Sequence, residues 1–574
     1  MTPRTLVESF QSVAARQPDV VAIRSADGGL SLTWRQYAQR VRAIASGLAA
    51  LGVAPGDTVA LMLTNRPEFH LCDTAVLHTG ATPFSVYNTN PAAVLAYQFD
   101  NAGNHVVICE KLFLPTVLAA VAHGGKVEHV ICVDGEADGV ISLSALGSSS
   151  AGDFDFDATW QAVRPDDLLT IVYTSGTTGP PKGVELTHTN FIENARITDD
   201  FGGIGAADRV ISYLPDAHAA NRWFAHYTNL LHGVTVTTVP DVKQVLAALT
   251  VVRPTAFLGV PRIWVKLKAA LEQRIADEPS PVKRCLARWA FATGQAKARI
   301  ESAGGRLHVL GSIRYGFADR LVLSKVRAQL GMDQIRLAVT GAAPIPPEVH
   351  EFILGLGVPL CEGWGMSECT AAVTVNLPTR IKIGTVGRPV PGAEIILADD
   401  GEVLVRGPMV MRGYRKDPEK TSETIDSNRW LHTGDIGSID EEGFLSIIDR
   451  KKELIINAAG KNMSPTNIEN TIAANCALVG VVAVIGDARP YNTALICLDP
   501  DAKTRYASEP AIHQAVETGI AAANAKLSRV EQIKRFTVLP ETWEPGGDYL
   551  TPTHKLKRKS IDARYDELIQ QMYS

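Results

Sequence analysis

The chain has no CxxC pair, no long apolar run and no strong excess of charge. Its cysteines stand at 72, 109, 132, 285, 361, 369, 476 and 497. They are too scattered for a zinc site or a disulfide framework, so a reducing, cytoplasmic setting is expected. No stretch of about 18 apolar residues occurs, which argues against a membrane-spanning helix. The segment MTPRTLVESFQSVAARQPDV lacks the apolar centre of a secretory leader, and none is expected. A net charge of −5 gives no footprint for nucleic acid. Charge alone leaves peripheral membrane contact open.

At 574 residues the chain is too long for one ordinary core, and two or more domains are expected. Apolar residues at 46% and charged residues at 20% are the balance of a globular protein. In TWRQYAQRVRAIASGLAALGV apolar residues recur every three to four positions up to Gly52, which predicts a helix and its stop. GDTVALML, HVVIC and HVICV read as buried strands. Strands alternating with helices predict an α/β fold of layered, mostly parallel sheets. A loop is expected from Gly147 through GSSSAGDFDFD. Two long helices are expected over 262–305, broken near Pro279 and Pro281, with packing as their role. After Arg450, VGVVAVIG, TALICLDP and a last helix, IDARYDELIQQMY, are enough for a small α+β domain.

The strongest single motif is LLTIVYTSGTTGPPKGVELTH. A strand runs into Thr174, Ser175, Gly176, Thr177, Thr178 and Gly179, then Pro180, Pro181 and Lys182. Glycines let successive N–H groups face one concavity, hydroxyls add donors and the lysine adds charge, which together make a polyphosphate cradle. It is not a Walker A loop, because Pro181 rather than Gly precedes Lys182 and Gly183 follows it.

YTSGTTGPPKG resembles the phosphate loop of the acyl-adenylate-forming superfamily, which includes acyl-CoA synthetases, firefly luciferase and peptide-synthetase adenylation domains. The resemblance runs through nearly the whole chain in the family's motif order. It implies that Gly341, Ala342 and Ala343 of TGAAP lie against adenine and the acyl group. In CEGWGMSECT it implies nucleotide contacts from Glu362, Gly363, Trp364, Gly365, Met366 and Ser367, with Trp364 the adenine face where relatives usually carry Tyr. Glu368 takes the role of magnesium ligand, with Thr174 as companion hydroxyl. Asp435 and Arg450 are the ribose pair. Lys452 is the hinge of a mobile C-terminal domain, which divides the chain into residues 1–450 and 451–574. Gly460 and Lys461 flank the coenzyme A arm. Lys555, in LTPTHKLKRKSI, is the catalytic lysine. The run Lys557, Arg558 and Lys559 reads as a solvated face.

YLPDAHAANRWFAHY resembles the acyl-pocket segment of long-chain synthetases, through His218 and Arg222. Asp216 departs from the usual apolar residue, and Trp223 reads equally as tunnel gate or packed core. FADRLVLSKVRAQLG from Phe317, AGKNMSP, and SVYNTN around Tyr87 resemble the same group. The implied reaction joins a fatty acid to coenzyme A through an acyl-adenylate, using ATP and Mg²⁺. The alternatives are a fatty acyl-AMP ligase serving a carrier protein, a luciferase-like oxygenase, and a non-catalytic nucleotide- or lipid-binding regulator.

Overall fold

The computed structural model describes residues 3–574 except 150–151, 175–179, 202, 459–460 and 505–507. The expected strands form one all-parallel sheet. Its order is Thr82–Ser85, Thr58–Met62, Val106–Cys109, His129–Cys132 and Ile141–Ser142. Helix Trp34–Ala50 begins where Thr33 and Gln36 exchange side-chain and backbone hydrogen bonds, a capping box. Two further parallel groups carry antiparallel edges. One joins Arg209–Ser212, Thr235–Thr238 and Val21–Ser25, with Ser31–Thr33 at the edge. The other joins Ala256–Leu258, Leu337–Thr340 and Leu360–Trp364, continued by Thr374–Val375 and Arg388–Pro389. An antiparallel sheet then runs from Glu394–Leu397 through Glu402–Arg406 and Leu431–Ile439 to Leu445–Arg450.

From Ile455 onward the chain builds its own core. A three-stranded sheet (Val479–Ile485, Asn492–Leu498, Ile533–Val538) has one face packed by helices Pro465–Asn475 and Glu509–Asn524. The other face is packed by the last helix, Arg558–Tyr573. This α+β unit meets the larger body through Lys526 and Glu348 at 3.0 Å and Lys266 and Asp499 at 3.4 Å. Asn470 Nδ2 also donates to the Pro344 carbonyl at 3.4 Å.

Two local expectations are corrected. Gly147 lies inside a short helix, Leu143–Ser148, because Ser142 caps it. Phe156–Gln161 is also helical, because Asp155 accepts from the Ala158 N–H. Of the basic run, Arg558 is not a solvated side chain. It forks onto Glu469 at 2.8 and 2.9 Å and anchors the last helix. The two long helices stand as expected, at Pro261–Ala276 and Pro281–Ser302. All eight cysteines are free thiols, seven of them buried. Among the described residues no helix is long and apolar enough to cross a membrane.

Candidate functional site

The phosphate-loop motif spans the turn of a hairpin. Strand Leu168–Thr174 pairs antiparallel with Lys182–Thr187, and Thr174 faces Lys182 in register. A strand, Lys182–Thr187, and not a helix follows the loop. Ser175, Gly176, Thr177, Thr178, Gly179 and Gly460 lie outside the described residues. The Lys182 ammonium sits 4.9 Å from the centre of the Tyr414 ring, and the Tyr414 hydroxyl donates to Glu368 Oε1 at 2.8 Å. Strand Gly413–Tyr414 pairs with Lys182–Thr187, so one tyrosine spans the loop lysine and the buried glutamate. Burial, then the Glu368 charge, pushes the Tyr414 phenol well above its usual range, so it acts as a donor.

Glu368 lies in the tight turn Ser367–Cys369, which begins after Met366. Thr370 and Ala371, next in the chain, both take positive φ, 60° and 82°. Neither is glycine, so each costs roughly 1–2 kcal/mol of backbone strain. The turn is held by Thr370 Oγ1 donating to the Met409 carbonyl at 2.6 Å and Met411 N–H donating to the Glu368 carbonyl at 2.8 Å. Gly365 is demanded by close approach: a Cβ there would stand 2.1 Å from the Ala371 carbonyl oxygen. A Cβ on Gly341 would stand 2.8 Å from the Gly363 oxygen, and Ala342 after it has φ 67°. Ala342 and Ala343 face solvent beside this narrow floor. Glu362 is buried beneath, where it accepts from Ile345 N–H at 3.2 Å; burial raises its pKa to about 8.

Asp435 and Arg450 face each other across the antiparallel pair Leu431–Ile439 and Leu445–Arg450. Trp364 Nε1 donates to Asp435 Oδ2 at 2.8 Å. Asp435 Oδ1 lies 2.9 Å from Arg450 Nε, but out of line with the N–H, and has no hydrogen-bond partner among the described residues. A buried carboxylate oxygen without a donor is costly unless a ligand hydroxyl supplies one. This orphan oxygen, the glycine floor and the buried Glu368 carboxylate fit a ribonucleotide and the hard oxygen donor that Mg²⁺ takes.

Lys555 is carried on a loop closed by Thr551 N–H to the Lys555 carbonyl at 2.8 Å and Lys555 N–H to Thr551 Oγ1 at 3.0 Å. Its side chain lies in the cleft, partly open to water. It is near enough to Arg450, Asp435, Glu453 and Glu368 for each to act on its charge. Desolvation, then Arg450, lowers its pKa. His218 also feels it. Burial and the Lys555 charge push His218 down to about 4, and its Nδ1 accepts from Ala220 N–H at 3.1 Å. The segment after Arg450 and residues of the large body between His218 and Arg450 thus act on one another's charge.

Other residues stand apart from it. Arg222 is buried and faces inward, bonded to Asp73 at 2.6 Å, Ser85 and Tyr227. Asp216 is buried with Asn221 Nδ2 at 2.6 Å, and burial raises its pKa to about 8. Trp223 is buried, its indole N–H without a partner among the described residues. It borders a small cavity of about 10 Å³, lined by Leu169, Phe191 and Tyr227 and also by Thr170, Arg222 and Thr370. Lys452 is exposed. The Lys461 N–H donates to Asn457 Oδ1 at 3.0 Å. Two residues were missed in the sequence. Tyr414 sits in MRGYRK, which has no pattern of its own. Asp449 accepts from Ser464 Oγ at 2.5 Å and Thr466 Oγ1 at 3.1 Å, tying the last large-body strand to the start of helix Pro465–Asn475. Only its place beside Arg450 could have flagged it.

Residues 10–415 match the family described as AMP-binding enzyme, and residues 452–574 match the AMP-binding enzyme C-terminal domain. The Mycobacterium tuberculosis protein FadD11 is 49% identical over 452 residues, covering 76% of this chain and 79% of that protein. The long-chain-fatty-acid–CoA ligase FadD15 of Mycobacterium bovis is 33% identical over 97% of this chain and 95% of its own length. Among solved structures, the adenylation domain of a carboxylate reductase from Mycobacterium chelonae superposes with a TM-score of 0.80. It is 20% identical and covers 99% of this chain and 91% of that one.

Proposed function

This chain belongs to the AMP-binding enzyme family, and from that premise we propose that it is a long-chain fatty-acid–CoA ligase working through acyl-AMP. The carboxylate of the fatty acid attacks the α-phosphorus of ATP and pyrophosphate leaves. The loop from Thr174 to Lys182 grips the polyphosphate, Asp435 accepts the ribose hydroxyls, and the Trp364 region bounds the adenine. Glu368 and Thr174 would hold Mg²⁺, which would screen the phosphate charge. The Lys555 ammonium offsets the charge that builds between carboxylate and phosphate.

The observation that supports this reading is that Lys555, from the last 20 residues, lies within electrostatic reach of Asp435, Arg450 and Glu368 of the large body. Residues 1–450 form the adenylating body and 451–574 a mobile domain turning about Lys452. In a second pose Lys555 withdraws, and coenzyme A approaches past Gly460 and Lys461 to take the acyl group as a thioester.

The test is purified enzyme with ATP, Mg²⁺ and palmitate. Fatty-acid-dependent ATP–pyrophosphate exchange is expected, and acyl-CoA with AMP once coenzyme A is added. Absence of exchange with any acid overturns the reading, and acyl transfer to a carrier protein but not to coenzyme A overturns the acceptor. Lys555→Ala should abolish exchange while sparing thioester formation from preformed acyl-AMP; equal loss of both halves refutes the assigned role.

A further inference from the structure

The helix Val309–Ala318 turns an apolar stripe outward. Val309 is 76% exposed, Leu310 73%, Ile313 51% and Phe317 60%, and Leu321 in the turn that continues it is 46%. At about 100° per residue these five side chains fall within an arc of about 120°. The opposite side of the same element supplies the core contacts, through Ala318 and Leu323, both fully buried. The outward stripe is therefore not needed for packing. Single exposed apolar residues are ordinary, but a contiguous stripe marks a surface that another phase covers.

Charge says which phase. Residues 281–330 hold ten Lys and Arg against two Asp and Glu, in a chain whose net charge is −5. Both acids are already engaged, Glu301 by Lys297 and Asp319 by Arg327, each at 2.6 Å. Arg306, Arg314, Arg320 and Lys325 rim the stripe and are exposed. A second copy docking through the same face would bring the same positive rim against this one. An anionic lipid surface brings the opposite charge and an apolar interior for the stripe.

We propose that Val309–Leu321 is a docking surface for bilayers containing anionic lipid, with Leu310, Ile313 and Phe317 entering the acyl boundary and Arg314 and Arg320 meeting phosphate headgroups. This goes beyond the catalytic reading and does not depend on it.

The test is co-sedimentation of the full-length protein with phosphatidylcholine vesicles, with and without phosphatidylglycerol. The wild type should partition onto the anionic vesicles about tenfold more strongly than onto pure phosphatidylcholine. Leu310→Ser with Phe317→Ser should lower anionic partitioning by about tenfold, and Arg314→Gln with Arg320→Gln should remove the preference for anionic lipid. Circular dichroism of both variants should match the wild type, since all four side chains are exposed. Failure of the wild type to sediment, or equal sedimentation of wild type and both variants, overturns the proposal. So does a wild-type dimer in light scattering that the apolar variant abolishes, which would assign the face to a second copy. Sedimentation requires no turnover, so its outcome is separate from that of the ligase assay.

Discussion

Trp364 and Asp435, 71 positions apart, are joined by one buried hydrogen bond of 2.8 Å from the indole N–H to Oδ2. The bond leaves Oδ1 in ion-pair contact with Arg450 at 2.9 Å, without a hydrogen-bond donor among the described residues, and fixes the plane of the ring at the same time. Removing the N–H should therefore loosen the nucleotide more than the chemistry. For Trp364→Phe the KM for ATP is expected to rise about 10–150-fold, the equivalent of one lost hydrogen bond to a charged group. kcat should change less than KM. Initial-rate kinetics with varied ATP check this, and a fall confined to kcat would contradict it.

Tyr414 bridges Lys182 and Glu368 by its ring face and its hydroxyl. Tyr414→Phe keeps the ring under the ammonium and deletes only the bond to the carboxylate. The Mg²⁺ concentration giving half-maximal rate should shift several-fold, because Glu368 loses the donor that orients it. A magnesium titration at saturating ATP measures this. An unchanged titration with a raised KM for ATP would move the role of Tyr414 from the carboxylate to the loop lysine.

Gly365→Ala should lower stability by about 2–3 kcal/mol, since its Cβ would be driven into the Ala371 carbonyl. Gly316→Ala is the control. That glycine lies in helix Val309–Ala318 with nothing within 4 Å of a Cβ, so the change should stabilise by about 0.5–1 kcal/mol. Urea unfolding of the two variants against wild type reads both signs in one experiment.

Stability should peak near pH 6.5, the ordinary histidine value. Burial lowers His78, His218 and His350 to about 4 and His188 to about 3. Below their unfolded pKa the unfolded chain binds more protons than the folded one, so stability falls as pH drops from 6.5 toward 4. Burial raises Asp216 and Glu362 to about 8, so these two keep a proton in the folded state that the unfolded chain has lost. Their effect is opposite in sign, smaller in number below 6.5 and unopposed above it, so stability also declines from pH 6.5 toward 8. Denaturation midpoints at about pH 5, 6.5 and 8 test this. A monotonic rise across the series would show that these buried groups do not carry the dependence.

The parallel sheets were legible because their strands are short apolar runs set between amphipathic helices. Val106–Cys109 and His129–Cys132 stand where HVVIC and HVICV placed them. Arg222 shows the limit. Its motif gave no sign that a buried carboxylate on another helix, Asp73, faces its guanidinium. Asp449 and Tyr414 were illegible because their meaning lies in partners distant along the chain. The outward stripe of Val309–Leu321 was hidden too, since helical periodicity gives the same apolar pattern whether the face meets a core or water.

By itself the sequence determined the local elements, the order of the motifs and the family, because backbone propensity and ligand-specific loops are written in contiguous residues. Only the tertiary structure decided which charges share a cleft, which carboxylate oxygen is left without a donor, and which apolar face stays uncovered. Those properties depend on distances between residues hundreds of positions apart and on which water each loses, and the packing of separate layers sets both.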